Sequence, residues 1–167
     1  MPAPTAKNHP RLTRMIEKAS RNIEQIFSFT GSVAAMWHYV RADGDEVVML
    51  APLDLDKDEA VLIVRKLLAD ENAVAVLFMD EAWSFVTSDP QEAAEWLASG
   101  RNASTHPRRR EVVHFQAEDE TGALIAMRDI VRTPGQPPTL GPLVVEESDM
   151  AVGRFVGMLP RRKVTLQ

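Results

Sequence analysis

Residues 73–79, AVAVLFM, are an unbroken apolar run of strand length. A strand with no polar residue cannot offer one face to water, so this run predicts a strand covered on both sides, near the centre of a sheet. It continues into DEAWSFVT, where Glu81, Trp83 and Phe85 alternate with Ala82, Ser84 and Val86. The period of two sends these sets to opposite faces. A chain built on such a strand must supply covering elements for both sides.

Candidates for that cover lie on either side of the run. Leu12, Met15, Ile16, Ala19, Ile23, Ile26 and Phe27 recur at spacings of three and four, which predicts an amphipathic helix starting near Pro10 and stopped by Gly31. Its other face carries Arg11, Arg14, Glu17, Lys18, Arg21 and Glu24. A second helix is predicted from a cap at Asp56 to about Ala69, burying Ala60, Val61, Val64, Leu67 and Leu68, with Asn72 as the left-handed residue beyond it. A third follows Asp89-Pro90 and stops at Gly100, and a fourth is expected from Ser148 or Asp149 to Leu159.

Between the helices lie hairpins. Val33–Tyr39 and Glu46–Leu50 bracket Asp43-Gly44, a strong turn pair, and Glu111–Ala117 and Ala123–Arg132 bracket the acidic turn EDETG. TPGQPPTLGP, with four of the 11 prolines, reads as loop, and Leu143–Val145 as a last short strand. Hairpins with dispersed helices give an α+β fold, a mainly antiparallel sheet of about five to six strands with three to four helices packed on it. Residues 1–9 read as a disordered arm, 10–160 as one α+β domain, and 161–167 as a basic tail.

Composition narrows the function classes. There is no cysteine, which removes disulfides, thiolate metal sites and a cysteine nucleophile. No stretch reaches the roughly 18 apolar residues of a membrane span, and MPAPTAKNHPR has no apolar signal region, so a cytoplasmic, non-membrane protein is expected. The net charge of −5 argues against a dedicated nucleic-acid binder. Its distribution is uneven: residues 1–28 are net +3, residues 42–95 are net −11, and Arg161, Arg162 and Lys163 make the end basic again.

The densest functional vocabulary is STHPRRREVVHF, residues 104–115. Pro107 fixes a loop and keeps His106 out of helix, and alternation puts Arg109 opposite Arg108 and Arg110, so at least one arginine should meet an anionic group. Glu81, His106 and Glu111 are the candidate catalytic groups, since a carboxylate beside tryptophan and an apolar strand can be raised in pKa. Arg108, Arg109, Arg110, Trp83 and Arg128 are the candidate binding residues. A charge in mid-strand needs a partner, so Arg128 is expected to pair with Glu81 or Glu111. His38, His106 and His114 lack metal-ligand spacing, and neither phosphate loops nor nucleophile motifs occur, so no metal and no cofactor are expected.

The pairing of MDEAWSF at 79–85 with HPRRREVV at 106–113, followed by an acidic turn and LIAMRDIVR, resembles a pattern of uncharacterised bacterial proteins of about this length. The resemblance spans residues 74–132 and implies a small bacterial cytosolic protein without implying an activity. The leading expectation is a non-enzymatic protein-binding or assembly module, with a protein partner or self-association favoured by basic ends and an acidic middle. One alternative is a hydrolase-type enzyme using Glu81, His106 and Glu111. Another is anion or nucleic-acid binding through Arg108–Arg110 and Arg161–Lys163.

Overall fold

The computed structural model describes residues 9–51, 54–85, 87–147 and 157–159. The first helix, α1 (Pro10–Thr30), opens on proline, whose missing N–H has no intrahelical partner to lose. Leu12, Met15, Ile16, Ala19, Ile23 and Phe27 form its buried stripe. It ends at Gly31, where a φ of 68° turns the chain left-handed and the Gly31 N–H donates to the Phe27 carbonyl at 2.8 Å. Ile26, expected in the stripe, is instead 44 % exposed, for it stands on the helix flank toward the edge of the sheet.

The sheet is antiparallel throughout, with strands β1 (Met36–Arg41), β2 (Glu46–Leu50), β3 (Ala73–Ser84), β4 (Arg110–Asp119), β5 (Gly122–Val131), β6 (Thr139–Leu140) and β7 (Val144–Glu147). Their order is β2-β1-β3-β4-β5-β6, and β7 also pairs with β5. With α2 (Lys57–Asp70) and α3 (Pro90–Ala98) this is an α+β fold. The apolar run of β3 is indeed central. Ala75, Leu77 and Met79 pack toward α1, while Val76 and Phe78 join Val61, Val64 and Leu68 of α2 on the opposite face.

Local chemistry sets most boundaries. Gly44, at φ 93°, closes the β1–β2 hairpin, and the Asp56 carboxylate caps α2 by accepting from the Asp58 N–H at 2.8 Å. Asn72 takes the left-handed conformation, φ 53°, between α2 and β3. Three expectations are corrected. β1 starts at Met36 rather than Val33, because the Val33 N–H is spent on the Glu81 carboxylate at 2.6 Å. The proline-rich loop contains β6, whose Thr139 and Leu140 pair with Val131 and Ile130. The expected last helix does not reach Leu159: Gly157 has a φ of 68°, and residues 157–159 are irregular. The rest of that helix, Arg161–Lys163 and residues 1–8 of the arm lie outside the described residues, whereas His9 hydrogen-bonds Thr121 through Nδ1 at 2.7 Å.

The main core lies under α1, where Phe115 is fully buried and is the largest such side chain among the described residues. Phe115→Ala would remove about 3–5 kcal/mol, enough to threaten a fold of ordinary stability. On the other face, the Trp37 and Phe78 rings pack at 4.6 Å between centroids.

Candidate functional site

Beyond β3 the chain leaves the sheet for α3 and returns through STHPRRREVVHF into β4. His106, expected in a loop, is buried at 4 % exposure. Its ring stacks on Phe85 at 4.0 Å and meets Trp96 of α3 edge-on at 4.5 Å. The His106 Nδ1 accepts from the backbone N–H of Arg108 at 3.0 Å. The ring proton therefore sits on Nε2, which faces the Glu92 carboxylate at 3.4 Å. Glu92 also takes an ion pair from Arg108 and a 2.6 Å hydrogen bond from the Thr87 hydroxyl. The Arg108 guanidinium, then Thr87 and more weakly His106, hold the Glu92 pKa down at about 2. Arg101 covers the outer side of Trp96 at 4.4 Å. This cluster staples α3 to the sheet, with the His106 Nδ1 taken by a backbone N–H.

Glu81 and Glu111 do share a sheet face, since Trp83 pairs with Glu111 and Glu81 with Val113 across β3 and β4. His106 does not join them there; its contacts are with Phe85, Glu92, Trp96 and Arg108. The Glu111 carboxylate is clamped by Arg132 through two 2.7 Å bonds, which lowers its pKa. Glu81 is held by the Val33 N–H. A carboxylate kept ionised by a bidentate arginine is a poor general acid.

Arg128 does not pair with either of these, contrary to expectation. It is buried at 7 % and reaches up to α1, donating to Glu24 at 3.0 Å, to the Ser20 hydroxyl at 3.2 Å and, through Nε, to the Gly141 carbonyl at 2.7 Å. Register explains this. Arg128 sits opposite Val113, which in turn sits opposite Glu81, so a whole strand separates Glu81 from Arg128, about 10 Å at ordinary strand spacing. Glu111 is diagonal to both Arg128 and Arg132 and takes the exposed one.

The arginine triplet is also engaged within the chain. Arg108 binds Glu92, Arg110 binds Asp129 at 3.2 Å, and Arg109 lies over the half-exposed Trp83 ring at 5.3 Å. Arg108 and Arg109 precede β4, which starts at Arg110, so strand alternation does not govern where the three point. A shallow depression of about 310 Å³ on the α2 face contains Asp80 and His114, 3.8 Å apart and both partly exposed. Among the described residues no group of three or more His, Asp or Glu side chains is placed to hold a metal ion.

The other exposed chemistry lies along the β2 edge. α1 runs from the start of β3, where Arg11 reaches the Val74 carbonyl, to its end, where Val33 meets Glu81. β2 runs the same way, and Lys18 ties it to α1 through Glu46 at 2.6 Å. Beyond that tie the surface turns apolar on both elements. Val48 and Leu50, on the Glu46 side of β2, are 61 % and 67 % exposed; Phe29, three turns after Lys18 on its flank, is 90 % exposed. Among the described residues nothing pairs with the outer edge of β2. Around the tie lies a groove of about 420 Å³ between α1 and β1–β2, with four cationic side chains and His38 among the residues that line it.

No family model, curated protein or solved structure matches this chain. Two features escaped the sequence reading, the Phe85–Glu92–Trp96 surroundings of His106 and the groove under α1. The first had a local signal in Glu92 and Trp96, placed one turn apart on a short helix. The second had none, because it exists only when α1 docks beside the hairpin.

Proposed function

We propose that this chain is a non-enzymatic protein-binding module that self-associates through the edge strand β2. The observation that carries the reading is a strand edge that nothing pairs with among the described residues, on which Val48 and Leu50 are exposed. An edge strand is a template for another strand, and proteins that stay monomeric usually blunt it with charge, proline or a bulge. The exposed face of β2 carries one charge, Glu46, and that is neutralised by Lys18. Pairing β2 with β2 of a second copy about a two-fold axis at Val48, the middle of the strand, sets Val48 opposite Val48 and Leu50 opposite Glu46.

The enzyme reading has less support. Of its three groups, His106 is buried with Nδ1 accepting a backbone N–H, Glu111 is clamped by Arg132, and Glu81 accepts a backbone N–H. The absence of cysteine makes a clean test possible. In the two-fold pairing, Val48→Cys places two thiols across an antiparallel pair within disulfide reach. Mild oxidation should convert this variant to covalent dimer, while Lys57→Cys, on α2, stays monomeric under denaturing electrophoresis. Equal dimer from both variants, or none from either, would overturn the β2 pairing.

A further inference from the structure

The groove between α1 and the β1–β2 hairpin is built from charges that internal pairing does not use up. Arg14 and Arg21 stand seven residues apart on one flank of α1, about 10 Å along the helix axis, and both are exposed. Neither has a hydrogen-bond or ion-pair partner among the described residues. Lys18, between them, is half-neutralised by Glu46. The lining holds Arg11, Arg14, Lys18 and Arg21 against Glu17 and Glu46; Arg11 is paired to Glu120 at 3.1 Å, which leaves Arg14 and Arg21 to supply the positive charge.

A second, independent observation points to a ligand. His38 lines the groove at 5 % exposure, and its Nε2 is buried with no hydrogen-bond partner among the described residues. The nearest acidic oxygen, on Glu46, is 3.6 Å away, too long for a hydrogen bond. A buried polar atom without a partner is costly, and a native fold keeps one where something else supplies the bond. Burial holds His38 toward its neutral form, opposed by the Glu46 carboxylate and helped by the Lys18 charge. A bound anion would add to the pull of Glu46 and favour an N–H donor at Nε2.

We propose that this groove binds an oligophosphate anion, with Arg14 and Arg21 as paired forks and His38 as a buried donor at its floor. Planar guanidinium groups match phosphate oxygens bidentately, and their separation along α1 favours linked phosphates over a single one. The groove lining includes no aromatic side chain, so a base or sugar would gain nothing from stacking there. Arg108–Arg110 cannot serve in this way: Arg108 and Arg110 are paired to carboxylates, and Arg109 lies over Trp83. The groove adjoins the β2 edge, for His38 pairs with Val48 across β1 and β2, so anion binding is tested on Arg14 and Arg21, which lie on α1 and not on the edge strand.

The test is calorimetric titration of the full chain with inorganic tripolyphosphate and with orthophosphate at physiological salt, together with NMR of the His38 imidazole nitrogens. Saturable binding at one site per chain is expected, tighter for tripolyphosphate, with a shift of the His38 resonances. Arg14→Gln/Arg21→Gln should weaken it at least tenfold, while Lys57→Gln/Lys66→Gln, with the same charge loss on α2, should change it less than twofold. Both arginines are exposed and have no partner among the described residues, so the variant is expected to keep its fold. The proposal is overturned by absence of saturable binding, by equal losses in the two double variants, by an unmoved His38, or by a glutamate-rich peptide binding as tightly as tripolyphosphate.

Discussion

The Arg128 guanidinium meets the Glu24 carboxylate at 3.0 Å, joining the middle of β5 to the exposed face of α1. The two ends of this pair are unequal. Arg128 is buried and also serves the Ser20 hydroxyl and the Gly141 carbonyl, whereas Glu24 is largely in water. Arg128→Gln should therefore cost about 2–3 kcal/mol, since it strands buried acceptors. That corresponds to a Tm lowered by about 4–12 °C for a chain of this length. Glu24→Gln should cost much less. Equal losses in thermal unfolding would mean that the exposed ion pair, not the buried network, carries the stability.

His106 is a packing residue in this account. Removing its ring in His106→Ala takes away the Phe85 stack and the Trp96 edge contact, at about 2–3 kcal/mol. α3 should loosen, and Trp96 emission should shift to the red. His106→Phe, which keeps the stack but loses the Arg108 and Glu92 bonds, should recover part of the loss. A variant as stable as the parent would contradict the stapling role.

Acid should release the same corner. Glu92 has a folded pKa of about 2, below its ordinary 4.5, so the stabilisation it gives is fully present above 4.5 and is lost as the pH falls through about 2. The Trp96 signal should change across that window in the parent and be flat there in Glu92→Gln. A parent signal unchanged down to the lower end would contradict the Arg108–Glu92 geometry.

His38 gives a second pH signature, at higher pH. Its folded pKa is lowered by burial, so the unfolded chain binds the proton more readily, and stability should fall as the pH drops below the ordinary value of 6.5. Thermal unfolding between pH 8 and pH 5, compared with His38→Gln, measures it. Saturating tripolyphosphate should shrink the slope, because the bound anion stabilises the protonated ring. An unchanged slope with ligand would separate His38 from the groove.

Much of the fold was legible because its signals are local. The apolar run of β3 named the centre of the sheet, Asp43-Gly44 named a hairpin, and Asn72 and Gly31 named helix exits, each requiring only a neighbour or two. Partners across elements were less so. Arg128 needed an acid, and the sequence offered strand neighbours, whereas the acid used lies 104 residues away on α1. Only the strand order, which interposes β4 between Glu81 and Arg128, decides that choice. The charges of α1 looked like a solvated face for the same reason: nothing in their spacing reveals that β1 and β2 lie alongside with His38 beneath.

The central claim is self-association through β2, and its most direct measurement is sedimentation equilibrium of the parent beside Val48→Lys across a concentration series. Placing like charges opposite each other at the two-fold axis should weaken association at least tenfold. The parent should form a concentration-dependent dimer, and Val48→Lys should be a monomer of unchanged thermal stability. A parent that stays monomeric throughout, or a variant that dimerises equally well, would contradict it.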